Sequence, residues 1–120
     1  MMKTMQSFLI FFYILDQGYN QCQEDDLGGF LGAISPELWE DGQPADKAVF
    51  NDWQKNNSLE IVDANNIVER TYAFLEYYEQ EFGFNFYNIK QWLLTITNKE
   101  VVEKAYDAAQ IMYQKFHYDN

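Results

Sequence analysis

Hydrophobic residues recur at helical spacing along most of this chain. The first apolar run, over 8–15, lies inside a predicted helix over 3–19 and leaves that helix a wide apolar face. A face of this width predicts a helix packed on several sides. A short second helix is predicted over 24–33, where the acidic residues at its start complement the positive end of the helix dipole.

A local start signal follows the second helix. Ser35 is a good N-cap, Pro36 suits the first helical position, and Glu37 favours the positive end of the dipole. The turn is predicted to continue only to about Trp39. Residues 40–44 are predicted as a loop, because Asp-Gly favours positive φ and the residue before a proline avoids helix.

A third substantial helix is predicted from the cap Asp46 to about Lys55. Its apolar positions Val49, Phe50 and Trp53 fall on one side. The Asn-Asn-Ser sequence that follows is predicted to break the chain.

The strongest helical periodicity predicts a helix over 60–82. One row at steps of three and four comprises Ile67, Thr71, Phe74, Tyr78 and Phe82. Val68, Tyr72 and Leu75 broaden this row. Gly83 is placed to end the helix as a left-handed cap.

Two further helices are predicted over 86–97 and 99–116. The first has apolar residues in register at Ile89, Trp92, Leu93 and Ile96. The start of the second fits a capping box from Thr97 to Glu100. Its predicted buried face comprises Val101 or Val102, Ala105, Ala109, Met112 and Phe116.

The pattern as a whole predicts an all-α fold, a single-domain bundle or array of five to seven helices over 1–120. Sustained two-residue alternation is missing, and the five-residue alternation at 82–86 falls at a helix end and is interpreted as a connector. Two alternatives remain for the run at 8–15: a buried strand, or the core of a secretory signal, although the residues after it lack an A-x-A-like cleavage site.

The composition narrows the function classes. The chain has 120 residues, eight Lys and Arg against 19 Asp and Glu, and a net charge of −11. Nucleic-acid binding is disfavoured, because neutralising phosphates requires clustered cations. Aromatic residues make up 18% of the chain, which argues for a folded domain rather than a disordered one.

Candidate chemistry in the sequence is sparse. Cys22 is the single cysteine, which fits a reducing compartment, and we interpret it as a small buried residue rather than a reactive thiol. His117, near the C-terminus, is interpreted as a solvated residue. Glu76 and Glu79 are interpreted as a solvated helix face, with weak divalent-cation binding as the alternative. We expect no catalytic residues, no cofactor and no metal site.

The acidity is concentrated in one segment. Residues 24–63 carry ten acids and two lysines, whereas the other 80 residues have a net charge of only −3. Acidic residues with interspersed aromatics suit a basic protein partner. The alternative is that the acids only keep the domain soluble and that the tryptophans are core. The candidate partner-binding residues are Asp25, Asp26, Glu37, Trp39, Glu40, Asp41 and Asp46.

Three glycines fall inside the predicted second helix: Gly28, Gly29 and Gly32. Each glycine weakens a helix by roughly 1 kcal/mol relative to alanine. We therefore expect another helix or a ligand to approach the backbone closely there.

A resemblance rests on three stretches: 25–32 (DDLGGFLG), 41–46 (DGQPAD) and Asp52-Trp53. They resemble a group of small, acidic, mostly uncharacterised helical bacterial proteins that are often encoded near secreted polymorphic toxins. The resemblance covers about thirty of the 120 residues. It implies a cytoplasmic immunity-type role, in which the protein binds a cognate toxin and blocks its active site.

The leading hypothesis is therefore a non-enzymatic, cytoplasmic binding protein for a basic protein partner such as a nuclease-type toxin. We expect no nucleic acid and no membrane among its partners, and the oligomeric state stays open. A second hypothesis is a structural or oligomerising helical domain. A third is an enzyme that uses carboxylates and a divalent ion.

Overall fold

The fold is all-α, as the sequence predicts. A computed structural model of the chain describes residues 4–38, 47–58, 61–96 and 99–116, and no strand occurs among them. The helices in chain order are α1 (Thr4–Tyr19), α2 (Asp25–Ile34), a 3₁₀ turn (Pro36–Leu38), α3 (Lys47–Asn56), α4 (Ile67–Phe82), α5 (Tyr87–Leu94) and α6 (Glu100–Lys115). The strand alternative for residues 8–15 is therefore wrong.

Helix α1 lies at the centre of the molecule. It packs against α2, α3, α4, α5 and, most extensively, α6. Its buried residues are Ser7, Phe8, Leu9, Ile10, Phe11, Phe12, Ile14, Leu15 and Gly18. Burial on nearly every side explains why the apolar run shows no narrow amphipathic stripe, and it confirms the prediction of a helix packed on several sides.

Close approach at one end of α1 requires a glycine. A Cβ built on Gly18 would collide with Ile89 Cδ1 and lie 2.7 Å from Trp92 Cε3. Small residues also line the contact with α6, where Ala105 and Ala109 are fully buried. The predicted buried face of α6 is confirmed at Val102, Ala105, Ala109 and Met112, whereas Phe116 is only partly buried.

An aromatic cluster joins α1, α3 and α4. The Trp53 ring lies 4.6 Å from Phe11 and 5.4 Å from Phe74, measured between ring centroids. Trp53 is fully buried, and its Nε1 donates a hydrogen bond to Ser7 Oγ at 2.9 Å. Ser7 Oγ in turn donates to the Thr4 carbonyl oxygen at 2.9 Å. Trp53 is thus a core residue with a paired indole N–H.

Helix α4 begins at Ile67, seven residues after the predicted start. Asp63 Oδ1 accepts the backbone N–H groups of Asn65 and Asn66, and Asn66 Oδ1 accepts the N–H of Asp63. These side chains offer the backbone an alternative to helical hydrogen bonds, which delays the helix. Gly83 ends α4 with φ of 74°, as predicted.

The end of α4 departs from its predicted buried row. Ile67, Thr71, Phe74 and Tyr78 are buried, but Phe82 is 59% exposed. Tyr78 takes the last core position, and Phe82 contacts it edge-on with ring centroids 4.8 Å apart.

Helix α5 ends three residues before its predicted end. Thr95 donates to the Trp92 carbonyl oxygen from both its backbone N, at 2.9 Å, and its Oγ1, at 2.7 Å. These bonds tighten the last turn and stop the helix. Thr97 and Asn98, the start of the predicted capping box, lie outside the described residues.

Each helix among the described residues is too short or too polar to cross a bilayer.

Candidate interaction surface

Carboxylates outnumber cations two to one in the described part of the chain, with fourteen acidic residues against seven basic ones. Two of these cations are used inside the fold. Arg70 donates to Asn57 Oδ1 and to the Asn56 carbonyl oxygen, each at 2.7 Å, and so closes the end of α3. Lys90 pairs with Glu79 at 2.6 Å. Both cations are therefore held by contacts within the fold.

The predicted partner-binding residues fall into two groups. Asp25 and Glu37 are exposed, and Asp26 is partly buried because its Oδ2 accepts the backbone N–H of Asn85 at 2.7 Å. The other four, Trp39, Glu40, Asp41 and Asp46, lie outside the described residues.

Three carboxylates meet at the start of α5. Asp26 accepts the N–H of Asn85, Glu79 Oε2 accepts that of Phe86 at 2.9 Å, and Glu24 Oε1 accepts that of Ile89 at 3.0 Å. Asn85 and Phe86 directly precede α5, and Ile89 lies in its first turn. At the start of a helix, N–H groups lack helical partners and the dipole favours negative charge. Glu24 and Asp26 therefore contribute to the fold as well as to the charge.

Glu79 does not belong to a solvated face, and that interpretation is corrected. Its side chain is 21% exposed and contacts both Lys90 and Phe86. Glu76 is 47% exposed and lies 3.9 Å from Lys90 Nζ. The cation between the two carboxylates is a lysine, and no cluster of potential metal ligands occurs among the described residues.

Asp16 on α1 and Glu37 in the 3₁₀ turn also lie near each other. Partial burial raises the pKa of Asp16, and the negative charge of Glu37 raises it further. The same two carboxylates, together with burial as the largest cause, raise the pKa of Tyr13 to about 12. Lys104 lines the same surface hollow as Asp16, but its ammonium pairs with Glu100 at 3.0 Å.

An aromatic groove of about 420 Å³ lies between α2, α3 and the end of α4. Its lining residues are Gly29, Phe30, Ala33, Ala48, Val49, Asp52, Tyr78, Phe82 and Phe84. The volume is within the range of ligand pockets, roughly 300–1,000 Å³. The groove is open to solvent on one side, where Phe82 is exposed.

The groove carries negative charge at its α3 wall. Asp52 Oδ2 accepts the hydroxyl hydrogen of Tyr78 at 2.8 Å, which fixes the carboxylate. Desolvation raises the pKa of Tyr77, and the charges of Asp52 and Glu81 raise it further. Neither of them takes part in a salt bridge with any described residue.

The glycines of α2 have different surroundings. A Cβ on Gly28 would lie 2.9 Å from the Tyr19 hydroxyl oxygen, so a close approach occurs there as predicted. Cβ atoms on Gly29 and Gly32 would meet no atom of the described residues within 4 Å, so no described helix packs closely against those two positions. At Gly29 the open space is the aromatic groove.

Cys22 is partly buried, and its Sγ donates to the Asn88 carbonyl oxygen at 3.6 Å. Burial raises the pKa of the Cys22 thiol, and Glu24 raises it further. A raised pKa lowers the thiolate fraction, so these surroundings disfavour a reactive nucleophile. His117 lies outside the described residues.

Sequence reasoning missed Asp16 and the groove itself. Asp16 lies outside the acidic segment 24–63, and only the fold brings it to Glu37. Phe84 was a visible signal for the groove, because this aromatic residue follows the helix-ending Gly83 and was given no core position.

Comparison of the chain with protein-family models, with curated proteins and with solved structures finds no match.

Proposed function

We propose that this chain is a non-enzymatic binding protein whose acidic surface takes a basic protein partner. The observation that carries the proposal is the approach of two carboxylates from separate elements, Asp16 on α1 and Glu37 in the 3₁₀ turn. Like charges held together at a surface repel each other and cost stability. A basic partner would remove that cost on binding.

The partner that best suits this surface is a protein with a positive face, such as a nuclease-type toxin, neutralised in the cytoplasm. Opposite potentials speed the encounter, since electrostatic steering raises association rate constants by about a hundredfold or more at low salt. With a net charge of −11, the chain attracts a basic partner over a longer distance at low ionic strength, where screening is weak. Blocking a nuclease requires only that the acidic face cover the cationic site that would otherwise hold phosphate.

Charge reversal tests the proposal. The product of the adjacent gene is the first partner to assay, by isothermal calorimetry with the purified full chain. The double variant Asp16→Lys/Glu37→Lys should lose affinity by roughly tenfold or more. The matched control is Glu103→Lys/Asp107→Lys, which makes the same charge change at exposed positions of α6.

The control double variant should lose much less affinity than the Asp16/Glu37 variant. An equal loss for both would mean that only net charge counts. Unchanged affinity in both would remove the electrostatic basis of the proposal. A stable homo-oligomer by light scattering, with no binding of basic proteins, would favour the oligomerising domain instead.

A further inference from the structure

We infer that the aromatic groove between α2, α3 and α4 binds a basic amphipathic segment of the protein partner, with a Lys or Arg head group at Asp52. The inference rests on the proposed function and deepens it, because it names where the partner is anchored and by what chemistry. Three features of the groove carry it: its apolar walls, its fixed carboxylate and its small-residue floor.

The apolar walls of the groove suit the aliphatic part of a Lys or Arg side chain. Phe30, Tyr78 and Phe84 pack as a cluster, with ring centroids 5.4 Å apart for Phe30 and Tyr78 and 5.8 Å apart for Tyr78 and Phe84. Phe82 adds an exposed ring beside them. Lys and Arg lay their methylene chains along such surfaces while the charged head reaches a polar partner, and a cation also gains from a nearby aromatic face.

The carboxylate of Asp52 suits the head group. Its Oδ2 is held by the Tyr78 hydroxyl at 2.8 Å, and the described residues place no cation on it. A fixed carboxylate beside aromatic side chains attracts a cation that also has an apolar part.

The small residues at the floor of the groove leave room for the backbone of a helical segment. Gly29 and Ala33 are four residues apart on α2, and Ala48 belongs to α3, so small side chains line the groove where a partner would approach. A Cβ on Gly29 would meet no atom within 4 Å in the part of the chain that the structure describes. An amphipathic helix that binds in such a groove contacts it through apolar side chains at helical spacing.

Charge decides between a foreign segment and a second copy of this chain. A second copy carries the same net charge of −11, so two copies repel each other as they approach. A segment rich in Lys or Arg is attracted instead. The proposal therefore commits to a basic segment of another protein.

The test is a titration of the isotopically labelled full chain followed by amide chemical shifts. The probe is a blocked helical peptide with Leu at positions i, i+3 and i+4 and Lys elsewhere. A matched peptide has Glu in place of each Lys. We expect saturable shifts at Gly29, Ala33 and Asp52 with the Lys peptide, and none with the Glu peptide.

Two variants and two controls locate the site. Asp52→Asn keeps an acceptor for Tyr78 but removes the charge, and Phe82→Ser removes the exposed ring; each should weaken peptide binding roughly tenfold or more. Asp107→Asn removes an exposed charge from α6, and Leu94→Ser removes a residue that is 65% exposed at the end of α5. These controls should leave the dissociation constant unchanged.

Three results would overturn the inference: shifts centred elsewhere, equal binding of the Glu peptide, or groove variants that bind as well as the controls. Groove shifts that depend on protein concentration without peptide would assign the groove to a second copy and overturn it too. The same variants in the partner titration separate the two proposals. If the partner binds Asp52→Asn and the wild-type chain equally well and with the same salt sensitivity, the proposed function stands and the groove proposal fails. If no partner binds at all, the proposed function fails as well.

Discussion

Glu79 on α4 holds Lys90 on α5, with Glu79 Oε1 2.6 Å from Lys90 Nζ. The hydrogen bond to Glu79 raises the pKa of Lys90, although burial opposes it. The other oxygen of Glu79 accepts the N–H of Phe86, and Lys90 Nζ lies 5.4 Å from the centre of the Tyr72 ring. One carboxylate therefore fixes both the start of α5 and the lysine one turn further along.

Removing this carboxylate should destabilise the fold. Glu79→Ala leaves a lysine that is 14% exposed without its near partner and the Phe86 N–H without an acceptor. We expect a loss of about 2–3 kcal/mol in the free energy of unfolding, measured by urea denaturation. Glu76→Ala is the control, with an expected change below about 0.5 kcal/mol because this pair is long and exposed. Equal losses would refute the distinction.

Two buried hydroxyl groups should contribute differently to the free energy of unfolding. Ser7→Ala leaves the buried Trp53 indole N–H without its acceptor, which should cost about 1–3 kcal/mol. Thr71→Val removes an equally buried hydroxyl, but this one only donates to the Ile67 carbonyl oxygen within its own helix. Its cost should be smaller. Thermal unfolding of the two variants compares them, and a larger loss for Thr71→Val would contradict the role given to Ser7.

Glycine substitutions should change stability in opposite directions. Gly18→Ala places a Cβ against Ile89 and Trp92 at the packed contact of α1 and α5, and overpacking of this kind costs about 1–3 kcal/mol. The added Cβ of Gly32→Ala, inside α2, meets no atom of the described residues within 4 Å and should stabilise by up to about 1 kcal/mol. Denaturation midpoints measure both. A stabilised Gly18→Ala variant would show that the helices do not approach closely there.

The acidic pair should give a definite pH dependence. Because the pKa of Asp16 is raised in the folded chain, folding favours its protonated form. Its contribution to stability is fully present below the unfolded pKa of 3.8 and is lost as the pH rises through the raised folded value. Glu37→Gln should therefore stabilise the protein at neutral pH, by less than about 1 kcal/mol since the site is exposed to solvent.

Urea denaturation at neutral pH and at a pH well below 3.8 tests this sign. The gain from Glu37→Gln should shrink at low pH, where both carboxyls are protonated in either state. A gain that grows on acidification would contradict the repulsion between Asp16 and Glu37.

The helices were largely predictable because their signals are local. Apolar spacing identified α1, and Gly83 marked the end of α4. The start of α4 was missed because Asp63 and Asn66 satisfy each other's backbone, a competition that periodicity does not register. The missed boundaries therefore reflect short-range side-chain hydrogen bonds rather than a wrong fold class.

The candidate site was less predictable because it depends on contacts between distant residues. Counting charges along 24–63 treated Asp26 as surface, yet its carboxylate accepts the N–H of Asn85, 59 residues away. Asp16 was left out of the acidic segment although it lies near Glu37 in the fold. The sign of the surface followed from composition, but its grouping into clusters required the fold.

The most direct measurement of the central claim is the affinity of the full chain for its basic protein partner at increasing salt, by calorimetry from about 50 to about 500 mM NaCl, a range over which the screening length falls severalfold. The account predicts that the affinity falls steadily across this series and that the slope becomes shallower in Asp16→Lys/Glu37→Lys. An affinity that stays constant with salt in the wild-type chain would contradict it.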